Sequence, residues 1–168
     1  MDGFLYCFNF QGKELWRFET QAAVFSPSFI SMECTPYASG VFVVVFGCHD
    51  KWIYCLCISG ALQWNFTTDA QGFVAEVNVN DLLSCHITCN KTHSKKCSSH
   101  PQMAVFIFST VGTLYILELH SGVLLGSYSL PGEVFSSPVV VDKQILVGCR
   151  NDYLYSLEMS KSRAIGQF

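Results

Sequence analysis

The chain has 168 residues, of which 50% are apolar and 14% charged, and its formal net charge is -3. This composition is too hydrophobic for a disordered chain, and the charge offers no basic surface for nucleic acid. The longest strongly apolar run, 41–46, is far shorter than the roughly 20 residues that a membrane-spanning helix needs. No basic and then apolar leader opens the sequence, so we expect no membrane partner and no secretion.

The cysteines number nine, an odd count. A reduced cysteine inside an apolar strand behaves as a small hydrophobic residue. Because no secretory signal is present, we expect no disulfide framework and a reducing, cytoplasmic location. The cysteines that lie in apolar patterns are Cys7, Cys48, Cys55, Cys57 and Cys149.

A motif in which a tight turn leads into an aliphatic residue and a tyrosine occurs four times along the chain, at 2–6, 50–54, 111–115 and 151–155. A second landmark, Val-Phe-Ser followed by proline, occurs at 24–27 and 134–138, with a weaker copy at 73–77. The shortest period is about 40 residues, which is the length of a four-stranded propeller blade. The repeat therefore predicts a β-propeller.

The predicted fold is all-β, with about three and a half four-stranded antiparallel blades that form a partial ring. The chain opens with a half-blade at 1–20, and three blades follow at about 23–67, 73–129 and 133–168. Length varies only between the first and second strands of a blade, with excess residues at about 32–40 and an insertion at 84–101. Both should project from one face, because up-and-down blades place these connections on the same side. The predicted strands are 4–8, 14–18, 23–30, 41–47, 52–58, 61–66, 73–79, 103–109, 113–119, 123–129, 134–141, 144–149, 153–159 and 163–168.

Each tyrosine landmark is followed by a recurring ending, seen at 5–16, 53–64 and 114–126. This pattern resembles the quinoprotein dehydrogenase-like, or PQQ-like, repeat. The resemblance implies that Gly12, Gly60 and Gly122 form the turn between the third and fourth strands. It also implies that Trp16 and Trp64 dock one blade on the next. Glycine stands at the tryptophan position in the last two copies (Gly126 and Gly166), and Lys161-Ser162 replaces the final turn glycine.

Two segments, 131–138 and 147–153, resemble the C-terminal propeller of an acyl-CoA synthetase-like family of adenylate-forming enzymes. The resemblance implies an upstream adenylation domain and a carrier domain in the same polypeptide. These would activate beta-alanine with ATP and hold it as a thioester, and the propeller would act as a non-catalytic scaffold or docking module. The alternatives are a quinone-dependent dehydrogenase domain and a standalone protein-interaction propeller.

The quinone alternative requires a cofactor site. The enzymes of that family use adjacent cysteines, together with a calcium ion on acidic and amide side chains. No two cysteines are adjacent here, and the acidic residues nearest the first strands are Glu76 and Glu133. Calcium prefers six to eight oxygen ligands, so we expect no bound cofactor.

The insertion at 84–101 contains a cluster of thiol and imidazole side chains, a ligand set that suits zinc. A metal could fold a loop that has no core of its own. The alternative is a flexible insertion in which these residues are incidental. The zinc candidates are Cys85, Cys89, His93 and Cys97, with His86 and His100 nearby.

No catalytic residue is expected. Cys48, His49 and Asp50 are consecutive, and successive side chains of a strand point to opposite faces, so they should not converge as a nucleophile and base. No phosphate-binding or nucleophile motif occurs. We interpret the tryptophans as packing residues, with an exposed Trp52 as an alternative binding anchor.

The ends of the array should be exposed. Each blade buries its faces only against its neighbours, and three and a half blades do not close a ring. We therefore expect the isolated chain to aggregate, self-associate or fold poorly, because its open edges and apolar faces are exposed.

Overall fold

The computed structural model describes residues 2–35, 38–74, 103–141 and 144–158. Every regular element in these ranges is a β-strand, and they contain no helix long and apolar enough to span a membrane. The strands are β1 (Phe4–Phe8), β2 (Glu14–Glu19), β3 (Phe29–Thr35), β4 (Ala38–Gly47), β5 (Trp52–Cys57), β6 (Leu62–Thr67), β7 (Gly72–Val74), β8 (Ala104–Ser109), β9 (Thr113–Glu118), β10 (Leu124–Ser129), β11 (Val139–Val141), β12 (Gln144–Gly148) and β13 (Leu154–Glu158).

The strands form four separate antiparallel sheets, each made of strands that are consecutive in the chain. The first half-blade is β1–β2, the second blade β3–β6, the third blade β7–β10 and the last blade β11–β13. Hairpin connections of this kind need only local turns, which explains the short polar segments between strands. The predicted all-β fold of sequential antiparallel blades is confirmed.

The first strand of a blade begins later than the sequence predicts. We expected strands from 23 and from 134, but β3 begins at Phe29 and β11 at Val139. The segments before them bond instead to the turn between the second and third strands of their own blade. The His49 amide donates to the Ala23 carbonyl (3.2 Å) and the Arg150 amide to the Glu133 carbonyl (2.8 Å). Proline then stands just before each strand, where its missing N–H removes no ladder hydrogen bond.

The excess residues expected at 32–40 lie largely in strands, because β3 and β4 pair from Phe29↔Val45 out to Thr35↔Ala38. The excess therefore lengthens a hairpin. The insertion at 84–101 and the expected last strand at 163–168 lie outside the described residues.

The core lies between blades. Alternate residues of a strand face opposite sides of the sheet, so each central strand contributes to two interfaces. Phe46 and Tyr54 pack toward the first half-blade, whereas Val45 and Ile53 pack toward the third blade. The third and last blades meet through a third cluster, made of Phe106, Phe108, Leu114, Leu130, Val134, Ile145 and Val147.

The turn before each third strand places its second residue in the left-handed region. Gly3 (φ 69°) and Gly112 (φ 90°) occupy this position in two copies, and Lys51 (φ 70°) and Asp152 (φ 69°) occupy it in the others. A side chain at Gly112 would also collide with the carbonyl oxygen of Gly132 in the next blade. The turn therefore requires glycine in the third blade and tolerates strain in the second and last.

Candidate functional site: contacts between blades

Two tryptophans join adjacent blades. Trp16 on β2 donates a hydrogen bond from Nε1 to the Ile58 carbonyl of the second blade, at 2.8 Å. Trp64 on β6 donates in the same way to the Leu119 carbonyl of the third blade, also at 2.8 Å. Trp64 is 8% exposed, so its N–H and the carbonyl it meets are both removed from water. A buried indole N–H needs such an acceptor. The ring therefore lies against the turn between the third and fourth strands of the next blade, where that carbonyl is located.

The ring of each tryptophan lies on a turn glycine. A Cβ on Gly60 would come within 2.7 Å of the Trp16 indole, and one on Gly122 within 2.7 Å of the Trp64 indole. Both glycines also have positive φ, 85° and 67°. Glycine is therefore required twice over, for the backbone conformation and for the close approach of the ring. We call the glycine together with its acceptor carbonyl an indole-binding turn.

In each of the three turns between third and fourth strands, the glycine amide donates to a backbone carbonyl near the end of the third strand. In the first, the Gly12 amide donates to the Asn9 carbonyl (2.9 Å) and the Asn9 amide donates to the Lys13 carbonyl (3.0 Å). The Gly60 amide repeats the first bond with the Cys57 carbonyl at 2.9 Å, whereas the Gly122 amide donates to the Glu118 carbonyl, four residues earlier, at 2.9 Å. The first turn therefore has the same length as the turn that holds Trp16, and the turn that holds Trp64 is one residue longer.

A second repeated contact closes the turn before each third strand. The Tyr54 hydroxyl donates to Asp50 Oδ2 at 2.7 Å, and the backbone amides of Trp52 and Gln21 also donate to this carboxylate. Tyr6 donates to Asp2 in the same way at 2.5 Å. Burial, followed by the bond to Asp50, raises the pKa of Tyr54, so the hydroxyl remains a proton donor.

The third blade builds this contact from a different residue. Val111 stands where the aspartate occurs in the first two copies. Asp69, from the connection between the second and third blades, takes its place and accepts from the Thr113 hydroxyl at 2.7 Å. Burial opposes its ionisation, but hydrogen bonds from Ser109, Thr113 and Tyr115 leave the pKa of Asp69 below its ordinary value. The repeat pattern did not reveal Asp69; a missing aspartate at Val111 was the only signal in the sequence.

The consecutive residues Cys48, His49 and Asp50 take separate partners. The Cys48 thiol donates to the Ala22 carbonyl (Sγ–O 3.3 Å), and the His49 ring contacts Phe25 in a tilted arrangement, with 4.3 Å between centroids and 45° between planes. Asp50 accepts the turn hydrogen bonds described above. These contacts hold the second blade to the segment that precedes it, and each side chain has a structural partner.

The other candidate residues divide between described and undescribed parts of the chain. Trp52 is half-buried and packs against the cluster of Phe46 and Tyr54. Glu133 is exposed and pairs with Arg150 at 3.2 Å. Within residues 2–35, 38–74, 103–141 and 144–158, no group of His, Cys, Asp and Glu side chains is arranged to hold a metal. The zinc candidates Cys85, Cys89, His93 and Cys97, with Glu76, lie outside the described residues.

The chain is similar in fold to solved β-propellers. BamB from Moraxella catarrhalis superposes with a TM-score of 0.61 at 15% identity, over 95% of this chain and 40% of that chain. BBS1N, in a complex with ARL6DN, gives 0.64 at 12% identity, over 98% and 46%. Saccharomyces cerevisiae Sqt1 gives 0.60 at 15% identity, over 98% and 43%. These likenesses confirm the predicted propeller fold.

Curated relatives are similar in sequence. The chain is 38% identical over 116 residues to beta-alanine-activating enzyme of Homo sapiens, which covers 69% of this chain and 9% of the enzyme. The Mus musculus enzyme is 37% identical over 119 residues, with the same coverage. The Drosophila melanogaster enzyme is 26% identical over 153 residues, covering 90% of this chain and 14% of the enzyme. No family model matches the chain.

The chain thus spans a small part of the length of these relatives, and that part folds as blades of a propeller. The chain is a β-propeller segment related to part of the beta-alanine-activating enzymes.

Proposed function

We propose that the chain is a non-catalytic scaffold or docking module of an ATP-dependent enzyme that activates beta-alanine. Adenylation and carrier domains outside this chain would form the aminoacyl adenylate and hold the amino acid as a thioester. The observation that carries the proposal is the 38% identity over 116 residues to the human beta-alanine-activating enzyme. The tryptophan contacts with turn glycines support quinoprotein-like repeats as the type of blade.

The polar side chains of the described blades support a structural role. Asp50 and Asp69 accept hydrogen bonds that close turns, and Cys48 donates to a backbone carbonyl. A nucleophile would need a base within hydrogen-bond reach, and these groups are already bonded to the framework. Their arrangement fits a rigid docking surface, and the catalytic steps would be performed by other domains.

We further propose a reducing compartment, the cytoplasm, as the location. The five cysteines whose side chains the structure describes are free thiols, and three of them are buried in the blades. A secreted protein with this many cysteines would normally pair them in disulfides.

The first test identifies the parent polypeptide. An antibody against residues 84–100 is used to capture the protein from lysate, and the captured material is assayed for beta-alanine-dependent exchange of pyrophosphate into ATP. We expect a polypeptide much larger than 18.8 kDa that catalyses the exchange. A captured chain near 18.8 kDa without exchange activity would overturn the proposal.

The second test separates a scaffold from a catalytic role. A variant of the parent enzyme is expressed without the propeller. We expect this variant to retain adenylation and carrier loading and to transfer less of the amino acid to its acceptor. Titration of the intact protein with pyrroloquinoline quinone and calcium tests the redox alternative. Stoichiometric binding of the quinone would exclude a purely structural role.

A further inference from the structure

A threonine anchors the connection between blades at the first two junctions, but not at the junction between the third and last blades. The Thr20 hydroxyl lies 2.7 Å from the carbonyl oxygens of both Gly3, in the turn of the preceding blade, and Ala22, in the connection. Thr68 repeats both contacts at the second junction. Leu130 occupies the equivalent position at the last junction, since its amide makes the same backbone bond to the preceding turn. Leucine has no hydroxyl, so this bridge is absent there.

A carboxylate ties the connection to the following blade at the same two junctions. At the first, the Gln21 amide of the connection donates to Asp50 Oδ2 in the turn of the second blade, at 3.2 Å. At the second, Asp69 of the connection accepts from a hydroxyl of the third blade at 2.7 Å. Pro131 occupies the connection position at the last junction, and proline has no N–H to donate and no carboxylate. Asn151 occupies the turn position, so neither arrangement can form.

Asn151 is left incompletely bonded by this change. Its Nδ2 donates to the Tyr155 hydroxyl at 2.7 Å, whereas in the second blade the tyrosine donates to the aspartate. The Oδ1 atom of Asn151 is buried and has no partner among the described residues. Rotating the amide by half a turn would only transfer the deficit to the nitrogen. A buried polar atom without a partner is destabilising, so this turn holds the last blade less firmly than Asp50 holds the second.

The last junction also receives no indole from the preceding blade. Gly126 stands on β10 where Trp16 stands on β2 and Trp64 on β6. The junction is held by the apolar cluster between the third and last blades and by a backbone bond from the Val134 amide to the Thr110 carbonyl, at 3.1 Å. Three kinds of directional contact that fix the second junction are therefore missing from the last one.

We propose that the last blade opens from the third blade as a separate unit, while the second and third blades stay packed together. Opening here breaks no indole contact, threonine bridge or carboxylate tie, whereas separation of the second and third blades would break all three. Segments with few such contacts open at the lowest free energy. The opening exposes an apolar face of the third blade in a minor state of the folded protein. That face consists of Phe106, Phe108 and Leu114. The proposal does not depend on the proposed enzymatic context.

Hydrogen exchange of the full chain tests the proposal at the central strands of three blades. Val45 on β4, Ile107 on β8 and Ile145 on β12 are all fully buried, so exposure does not distinguish their amides. We expect the amide of Ile145 to exchange at least about tenfold faster than the other two, because one lost hydrogen bond to a charged group is worth about that factor. Equal rates at all three would overturn the proposal, because the blades would then open together.

Two double variants separate the proposed cause from simple fraying of a terminal blade. Pro131→Gln with Asn151→Asp copies the carboxylate tie of the second blade onto the last junction. Pro131→Gln with Asn151→Ala makes the same backbone change and supplies no acceptor. We expect exchange in β12 to be about tenfold slower in the aspartate variant than in the alanine variant, and exchange in β4 to be the same in both. Gln144→Glu adds one charge at an exposed position of the same blade and should change neither rate. Equal exchange of β12 in the two double variants would overturn the proposal.

Two buried thiols provide a second measurement without any substitution at the junction. Cys48 directly follows β4 and Cys149 directly follows β12, and both side chains are buried. In a variant that keeps only these two cysteines, at sub-micromolar protein, we expect a thiol reagent to modify Cys149 at least about tenfold faster than Cys48. If both thiols react only as fast as the whole chain unfolds, the last blade does not open by itself and the proposal is wrong.

Discussion

Removing the Trp64 indole should destabilise the protein more than any other single truncation on β6. Trp64 is 8% exposed, and a buried tryptophan removes roughly 150–250 Å² of surface from water. At about 25 cal/mol per Å² this burial contributes roughly 4–6 kcal/mol, and measured Trp→Ala costs are about 3–5 kcal/mol. We therefore expect Trp64→Ala to lower the free energy of unfolding by about 3–5 kcal/mol.

A second variant separates the hydrogen bond from the packing. Trp64→Phe keeps an aromatic ring but leaves the buried Leu119 carbonyl without its donor, which should cost about 1–3 kcal/mol. Leu62→Ala is the matched control on the same strand, because Leu62 is 45% exposed. A surface change of this kind should alter the stability by about 0.5 kcal/mol or less.

The assay is urea unfolding followed by pulse proteolysis, at sub-micromolar protein so that the open ends of the array do not self-associate. The urea dependence should keep the same slope in each variant, so that a shifted midpoint reports stability alone. If Trp64→Ala costs no more than Leu62→Ala, the contact with Gly122 does not hold the second and third blades together and the reasoning is wrong.

Three further outcomes are expected. Lys51→Gly should raise the free energy of unfolding by about 0.5–1 kcal/mol, because it relieves a left-handed backbone at some entropic cost; an unchanged urea midpoint would contradict this. In a variant that keeps only Cys55 and Cys57, a thiol reagent should modify Cys57 quickly and Cys55 only on unfolding. A hydrogen bond with the Ser59 hydroxyl lowers the pKa of Cys57, and burial raises that of Cys55 to about 12; equal rates would refute this. The lowered pKa of Asp69 means that its stabilising effect is present above the unfolded value of 3.8 and is lost as pH falls through the folded value. Asp69→Asn should therefore reduce the loss of unfolding free energy as the pH falls below about 4. An unchanged pH dependence would show that the Asp69 hydrogen bonds do not contribute.

The sequence predicted the strands whose pairing is local. The bounds of β1 match the prediction at both ends, and the start of β5 at Trp52 matches as well, because a tight turn and an alternating pattern are contained within a few residues. The start of β3 was predicted wrongly, since the segment before it bonds to a distant turn through Ala23 and His49. No local pattern carries that information.

The same distinction applies to the contacts between blades. The Gly–Trp spacing repeats within the chain, so the resemblance assigned Trp16 and Trp64 a docking role, and both indoles lie on turn glycines. Asp69 was missed because it acts on Tyr115 from the preceding connection, 46 positions away in the chain. A repeat pattern aligns positions that are equivalent, and it fails where one blade takes a group from a non-equivalent position.

The pairing of a tryptophan with a glycine in the following blade also restricts how such genes can recombine. Unequal crossing-over would duplicate, delete or reorder whole blades. A blade whose last strand carries a tryptophan, as β6 does, fits only a following blade that has glycine in the turn between its third and fourth strands. Trp64 and Gly122 are such a pair. Gly126 stands where the repeat has tryptophan, and Lys161-Ser162 stand where the next copy of the repeat has glycine. Exchange of the third and second blades would therefore put Gly126 ahead of the Gly60 turn, which would then receive no indole, and we expect a chain with that blade order to be less stable.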